Sequence, residues 1–227
     1  MTTPALRALI AGVAMVAACD NGSGPPPPQA SVLHVVHAIR GGPLLTVLVD
    51  GGRGGTLAFG ALSRAIPLAP GQHDLVLQPA DTTHTLLVLF NTVEGVNYTV
   101  FAVDSMSGGT PIIEPVLIPD MGAVAPTGHV RLRLASFASA APTIDAYRSQ
   151  PDSVGLLRSA QPLNFRAVTP YFDGMPGDWS VEITHGGLTD TLLATGPLAL
   201  TDGQARTVVV LDSTSGHVSL RLVPDRN

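Results

Sequence analysis

A short motif that occurs twice constrains this chain more than any other feature. Ile66-Pro67-Leu68-Ala69-Pro70-Gly71-Gln72-His73-Asp74-Leu75-Val76-Leu77 reads as strand, turn, strand, and Tyr171-Phe172-Asp173-Gly174-Met175-Pro176-Gly177-Asp178-Trp179-Ser180-Val181-Glu182-Ile183 reads the same way. Proline pre-sets φ and glycine accepts φ > 0, so Pro70-Gly71 and Pro176-Gly177 mark turns, and each motif predicts a hairpin. Beyond the turn, alternation puts His73, Leu75 and Leu77 on one face, and Trp179, Val181 and Ile183 on the matching face. Two copies of one supersecondary unit predict two copies of one domain.

The match extends along the chain. An offset of 99 residues places Pro142 on Pro43 and Ile144 on Leu45, an offset of 106 joins the Pro-Gly motifs, and 108 places Gly203 on Gly95 and Val208 on Val100. Insertions between strands account for the drift. The first copy predicts strands over roughly 31–37, 44–50, 56–60, 63–68, 72–78, 84–93, 96–104 and 111–118. The second predicts them over roughly 130–136, 143–148, 163–168, 178–184, 189–200, 205–212 and 217–223. Asp50-Gly51, Glu94-Gly95, Gly186-Gly187 and Asp202-Gly203 supply further turns. The expected fold is all-β: two tandem antiparallel, immunoglobulin-like β-sandwiches, over 31–120 and 129–227, joined by a linker over 121–128. A single cysteine excludes an internal disulfide framework, so each sandwich must rest on its core.

Residues 1–18 read as a signal peptide. Arg7 precedes the apolar run Ala8–Ala18, which as a helix covers about 16 Å, roughly half a bilayer's hydrocarbon core. The run ends in Val16-Ala17-Ala18-Cys19, which resembles the lipobox of bacterial lipoproteins. That resemblance implies that Cys19 is the lipidation site, that the membrane is a partner through this lipid, and that the protein is extracytoplasmic, on the periplasmic or cell-surface side. Over 19–30, glycine, serine and the run Pro25–Pro28 then form a spacer, part swivel and part stiff polyproline II.

A family resemblance rests on particular residues. His37, Pro43, Val47, Val49, Asp50 and Gly51 followed by Pro70-Gly71, and Pro142, Ile144, Asp145 and Tyr147 followed by Pro176-Gly177, resemble domain-of-unknown-function family 4397. The resemblance implies tandem modules behind a secretion signal, in the envelope or outside the cell, with no assigned activity. The second copy departs from the pattern, with Ser136 in place of the histidine and no Asp-Gly after its second strand.

Motifs for chemistry are sparse. His34 and His37 lie three apart on a strand and point to opposite faces, so they cannot chelate one ion. No zinc or calcium spacing occurs, and neither a metal nor another cofactor is expected. A net charge of −5 argues against nucleic acid. No G-x-S-x-G elbow occurs, although Ser105, Ser107, Ser213, Ser215 and His217 follow matching strands and keep a loop-based extracytoplasmic hydrolase as the alternative. Tyr147 and Asp145 share an outward face and are candidate contact residues. Arg131 and Arg133 share a strand face, where cross-strand carboxylates or an anion would receive them. The expected role is a non-catalytic binding, adhesion or scaffolding module with a protein or glycan partner.

Overall fold

The computed structural model describes residues 28–226 apart from 82–84, 108–109, 142, 154, 156, 159–160, 188–189 and 214–216, and Cys19 therefore lies outside the described residues. The described chain is built from strands. The first repeat contains β1 (Ser31–His37), β2 (Leu45–Val49), β3 (Gly52–Leu57), β4 (Ile66–Leu68), β5 (Gly71–Pro79), β6 (Leu86–Thr92), β7 (Tyr98–Ser107) and β8 (Thr110–Pro119). The second contains β9 (Val130–Phe137), β10 (Thr143–Ser149), β11 (Leu157–Arg158), β12 (Leu163–Asn164), β13 (Phe172–Gly174), β14 (Gly177–His185), β15 (Thr191–Ala194), β16 (Leu198–Leu200), β17 (Ala205–Asp212) and β18 (Val218–Arg226).

Each repeat is a two-sheet sandwich. In the first, an outer sheet of order β3-β2-β5-β6 faces an inner sheet of order β4-β1-β7-β8. In the second, the outer sheet β11-β10-β14-β15, with β12 beside β10 and β16 beside β14, faces the inner sheet β13-β9-β17-β18. Period-2 alternation fills both cores: Leu45, Val47, Leu75 and Leu77 in the first, and Ile144, Trp179, Val181 and Ile183 in the second. The sheets are not wholly antiparallel. β1 runs parallel to β7, and β9 parallel to β17, because the chain changes sheets between them.

The Pro-Gly motifs are corners, not hairpins. β4 pairs with β1 in the inner sheet, while β5 pairs with β2 and β6 in the outer one. β13 and β14 divide between sheets in the same way. Gly71 at φ 135° and Gly177 at φ 138° swing the chain across the sandwich, in a region closed to side chains. A hairpin would have needed a primed turn in one sheet. The pair Asp50-Gly51, with φ 51° and 72°, is such a turn, and it joins β2 to β3. The second copy also differs from the sequence reading in detail. β11 was not expected, the strand expected over 163–168 shrinks to β12, and that over 189–200 divides into β15 and β16.

A third hydrophobic core joins the repeats. Val36, Phe101 and Val103 from the first inner sheet pack with Ala135, Phe137, Val209, Leu211 and Val223 from the second. At its centre the Phe101 and Phe137 rings stack at 4.0 Å and 14°. Strands β1, β7, β9 and β17 are thus covered on both faces, which explains runs such as Val208-Val209-Val210-Leu211. Polar contacts cross the seam as well. Arg166 grips Glu114 with both guanidinium arms at 2.9 and 2.8 Å, and Arg221 Nε donates to Gly60 O at 2.6 Å. Arg166 holds φ 71° where the first repeat has Gly60 at φ 73°, and each backbone N–H donates to the inner-sheet strand of its own repeat, at Ser136 O and His37 O.

Candidate functional site

The residues singled out from sequence are mostly spent on the fold. Arg131 lies directly across from Asp173 in the β9–β13 register and donates from Nε to its Oδ1 at 2.5 Å, as the cross-strand reading expects. Arg133 is buried instead of presented to a ligand: it donates to Asp120 and, from Nε, to Thr207 Oγ1 at 2.7 Å. Asp145 does lie on the face away from the core, yet only 1% of it is exposed, because the Arg158 guanidinium sits 2.7 Å from its Oδ1 and the Gly187 N–H donates to its Oδ2. Those two partners, Arg158 first, hold the Asp145 carboxyl below the usual carboxylate range. Tyr147, half-buried, sits between Glu182 and Arg158 in register.

Arg133 anchors a charged cluster inside the seam. Asp120, directly after β8, and Asp225 on β18 are 4% and 0% exposed, and this one arginine lies between them. Asp225 Oδ2 accepts from Tyr171 at 2.9 Å and from Thr207 at 2.6 Å, and its main-chain carbonyl accepts from Asn97 Nδ2 at 2.6 Å. Arg133 is the cation beside both buried carboxylates, and Arg206 adds a weaker attraction on Asp225. Burial, then the neighbouring Asp225 charge, pushes Asp120 up to about 8, and burial raises Asp225 and Tyr171 too. One oxygen of each aspartate, Asp120 Oδ2 and Asp225 Oδ1, is buried without a hydrogen-bond partner. The cluster reads as a proton-holding brace between the repeats.

The histidines serve structure in the same way. His37 is fully buried, Nε2 lies 2.8 Å from Pro43 O, Nδ1 accepts from the Ile39 N–H, and burial lowers its pKa. His73 points inward, with Nε2 2.7 Å from Ala69 O and Nδ1 2.7 Å from Asp50 Oδ2. Trp179 takes the same position in the second repeat and donates from Nε1 to Met175 O at 3.0 Å, so each ring ties down the carbonyl ahead of its Pro-Gly corner. A Cβ on Gly174 would lie 2.6 Å from the Trp179 ring. Burial opposes charge on His73, but Asp50 and the Ala69 carbonyl outweigh it and raise its pKa, while His73 lowers that of Asp50. The pair's stabilisation fades as pH falls through the depressed Asp50 value and as it rises through the elevated His73 value. Asp50→Asn should therefore destabilise most near about pH 5–6, between the two ordinary pKa values, and an NMR titration should show the His73 pKa falling. An unchanged His73 titration would remove the pair from the account.

The serines form no site that the structure describes, and Ser105 and Ser107 lie within β7 and not in a turn after it, because β7 and β8 pair on as far as Ser107 and Thr110. Ser215 and the side chains of Ser105 and Ser107 lie outside the described residues, and the Ser213 N–H caps the loop by donating to His217 O at 2.7 Å. Among the described residues no group of three His, Cys, Asp or Glu could hold a metal ion, and no helix is long and apolar enough to cross a membrane.

Sequence reasoning missed Arg53 and Arg64. Both are exposed, both line two adjoining clefts on the open side of the first sandwich, and no ion pair engages either among the described residues. Eleven positions apart among glycines and turns, they carry no periodic signal. Only the opening between β3 and the segment before β4 brings them together.

The profile described as a domain of unknown function, DUF4397, matches residues 31–147. The chain belongs to this family. The match covers the first repeat and the opening strands of the second, and it ends where the DUF4397 repeat here lacks the Asp-Gly turn. No curated protein matches the chain significantly. Among solved structures, the Bacillus anthracis TIE protein is similar at 10% identity and a TM-score of 0.28, over 81% of this chain and 34% of that one, so the chain spans about a third of that structure's length.

Proposed function

We propose that this DUF4397 protein is a lipid-anchored envelope protein that acts without catalysis, as a binding, adhesion or scaffolding module for a protein or glycan partner. One observation carries the reading: the groups best suited to chemistry, Arg133, Asp120, Asp225, His37 and His73, are buried and engaged in holding sheets and corners. A scaffold so braced suits the display of a surface in fixed geometry. The Val16-Ala17-Ala18-Cys19 sequence supports the anchor, and the glycine, serine and proline spacer supports a module held clear of the lipid.

Cys19→Ala tests the anchor. The variant should move from the membrane fraction to the soluble fraction or remain unprocessed, whereas unchanged membrane association would refute lipidation. Crosslinking and capture from the native envelope tests the role. Specific retention of a partner is expected, and turnover on a panel of esters, peptides and glycosides would favour the hydrolase instead.

A further inference from the structure

The open side of the first sandwich carries a groove. Its first part, about 440 Å³, is lined by Arg53, Thr56, Leu62 and Arg64. Its second, about 290 Å³, shares both arginines and continues past Gly54 and Ile66 to Pro67. A third part, about 260 Å³, shares Pro67 and is otherwise framed by Pro28, Ala30 and Pro70. One wall is β3, whose only sheet neighbour among the described residues is β2, so its outer edge has backbone groups without a strand partner there. That wall is bare, since β3 reads Gly-Arg-Gly-Gly-Thr-Leu.

The charge in the groove is unspent. In a chain of net charge −5, Arg131, Arg133, Arg158 and Arg166 each meet a carboxylate, whereas the one hydrogen bond described for the guanidinium of Arg53 goes to Thr56 Oγ1 at 3.3 Å. The opposite wall is protected from strand addition in its own way: β4 has three residues, and its Pro67 offers no N–H.

We propose that this groove binds a short extended peptide segment with acidic side chains, which adds to the edge of β3 and places its carboxylates on Arg53 and Arg64. Backbone pairing selects a peptide over a glycan or a free anion, and side chains projecting alternately from the added strand reach the arginines on one side. The β2–β3 register shift between Val47 and Leu48 leaves Gly54 as an extra residue, which breaks the edge and limits the partner to a few residues. A Cβ on Gly54 would lie 3.0 Å from both Val47 and Ile66 side-chain carbons, so the bulge has little room for a larger residue.

The inference rests on the binding role and is tested on the full chain by fluorescence anisotropy. The probe is a labelled peptide of Val-Glu repeated four times, at low salt where exposed charges act strongly. Saturable binding is expected, weakened about tenfold or more by R53E/R64E and equally by N-methylation of alternate peptide amides, with the Val-Lys analogue not binding. Both arginines are exposed, so the fold should survive; R53Q/R64Q should also weaken binding, and unfolding midpoints check both variants. No saturable binding, equal affinity in R53E/R64E, equal affinity for the N-methylated peptide, or displacement by inorganic phosphate or dextran sulfate at matched charge would each overturn it. Envelope capture that persists in R53E/R64E would overturn the groove and leave the binding role standing.

Discussion

Phe137→Ala should destabilise the whole chain, not one repeat, by about 3–5 kcal/mol, the usual range for emptying a buried aromatic site. Phe137 is 1% exposed and its ring stacks on Phe101 of the other repeat, so alanine opens a cavity that belongs to both. Urea unfolding followed by Trp179 fluorescence reports the second repeat, and hydrogen exchange at Val35, Val47 and Leu75 reports the first. The two should shift together. A shift confined to the second repeat would show that the seam carries no coupling. For the same reason residues 129–227 alone should keep their own core yet expose Ala135, Phe137, Val209 and Leu211, and should self-associate more than the full chain.

Arg133→Ala should cost a further comparable amount, about 3–5 kcal/mol near neutral pH, because it removes the buried guanidinium that pairs with both Asp120 and Asp225. Asp120→Asn should behave differently. Asp120 is raised to about 8, so the folded chain keeps a proton that the unfolded chain releases above its ordinary value. The stability tied to that proton is fully present in acid and is lost progressively between about pH 4 and pH 8, after which it changes no further. The asparagine variant has no such proton to lose. Its melting temperature relative to the native chain should climb across that interval and level off above it. Parallel pH profiles for the two proteins would place no raised carboxyl at this seam.

Much of the architecture was legible because it rests on local signals. Period-2 alternation found most of the strands, and the comparison of His73 with Trp179 correctly turned both rings inward. The corners were misread as hairpins because Pro70-Gly71 states only that the chain turns. Which sheet receives the next strand depends on where β1 and β2 lie, and that is non-local. The seam was half-legible. Doubly apolar runs such as Val208–Leu211 mark strands covered on both sides, but the sequence does not say what covers them. Arg133 and Asp120 were hidden for another reason: a buried pair and a surface pair look alike in sequence, and only the second sheet on top of Arg133 distinguishes it from Arg131.

That the two repeats act as one braced body is tested most directly by scanning calorimetry of the full chain. A shared seam predicts one transition whose calorimetric and van't Hoff enthalpies agree. Two resolved transitions, one of them coinciding with that of residues 129–227 alone, would contradict it.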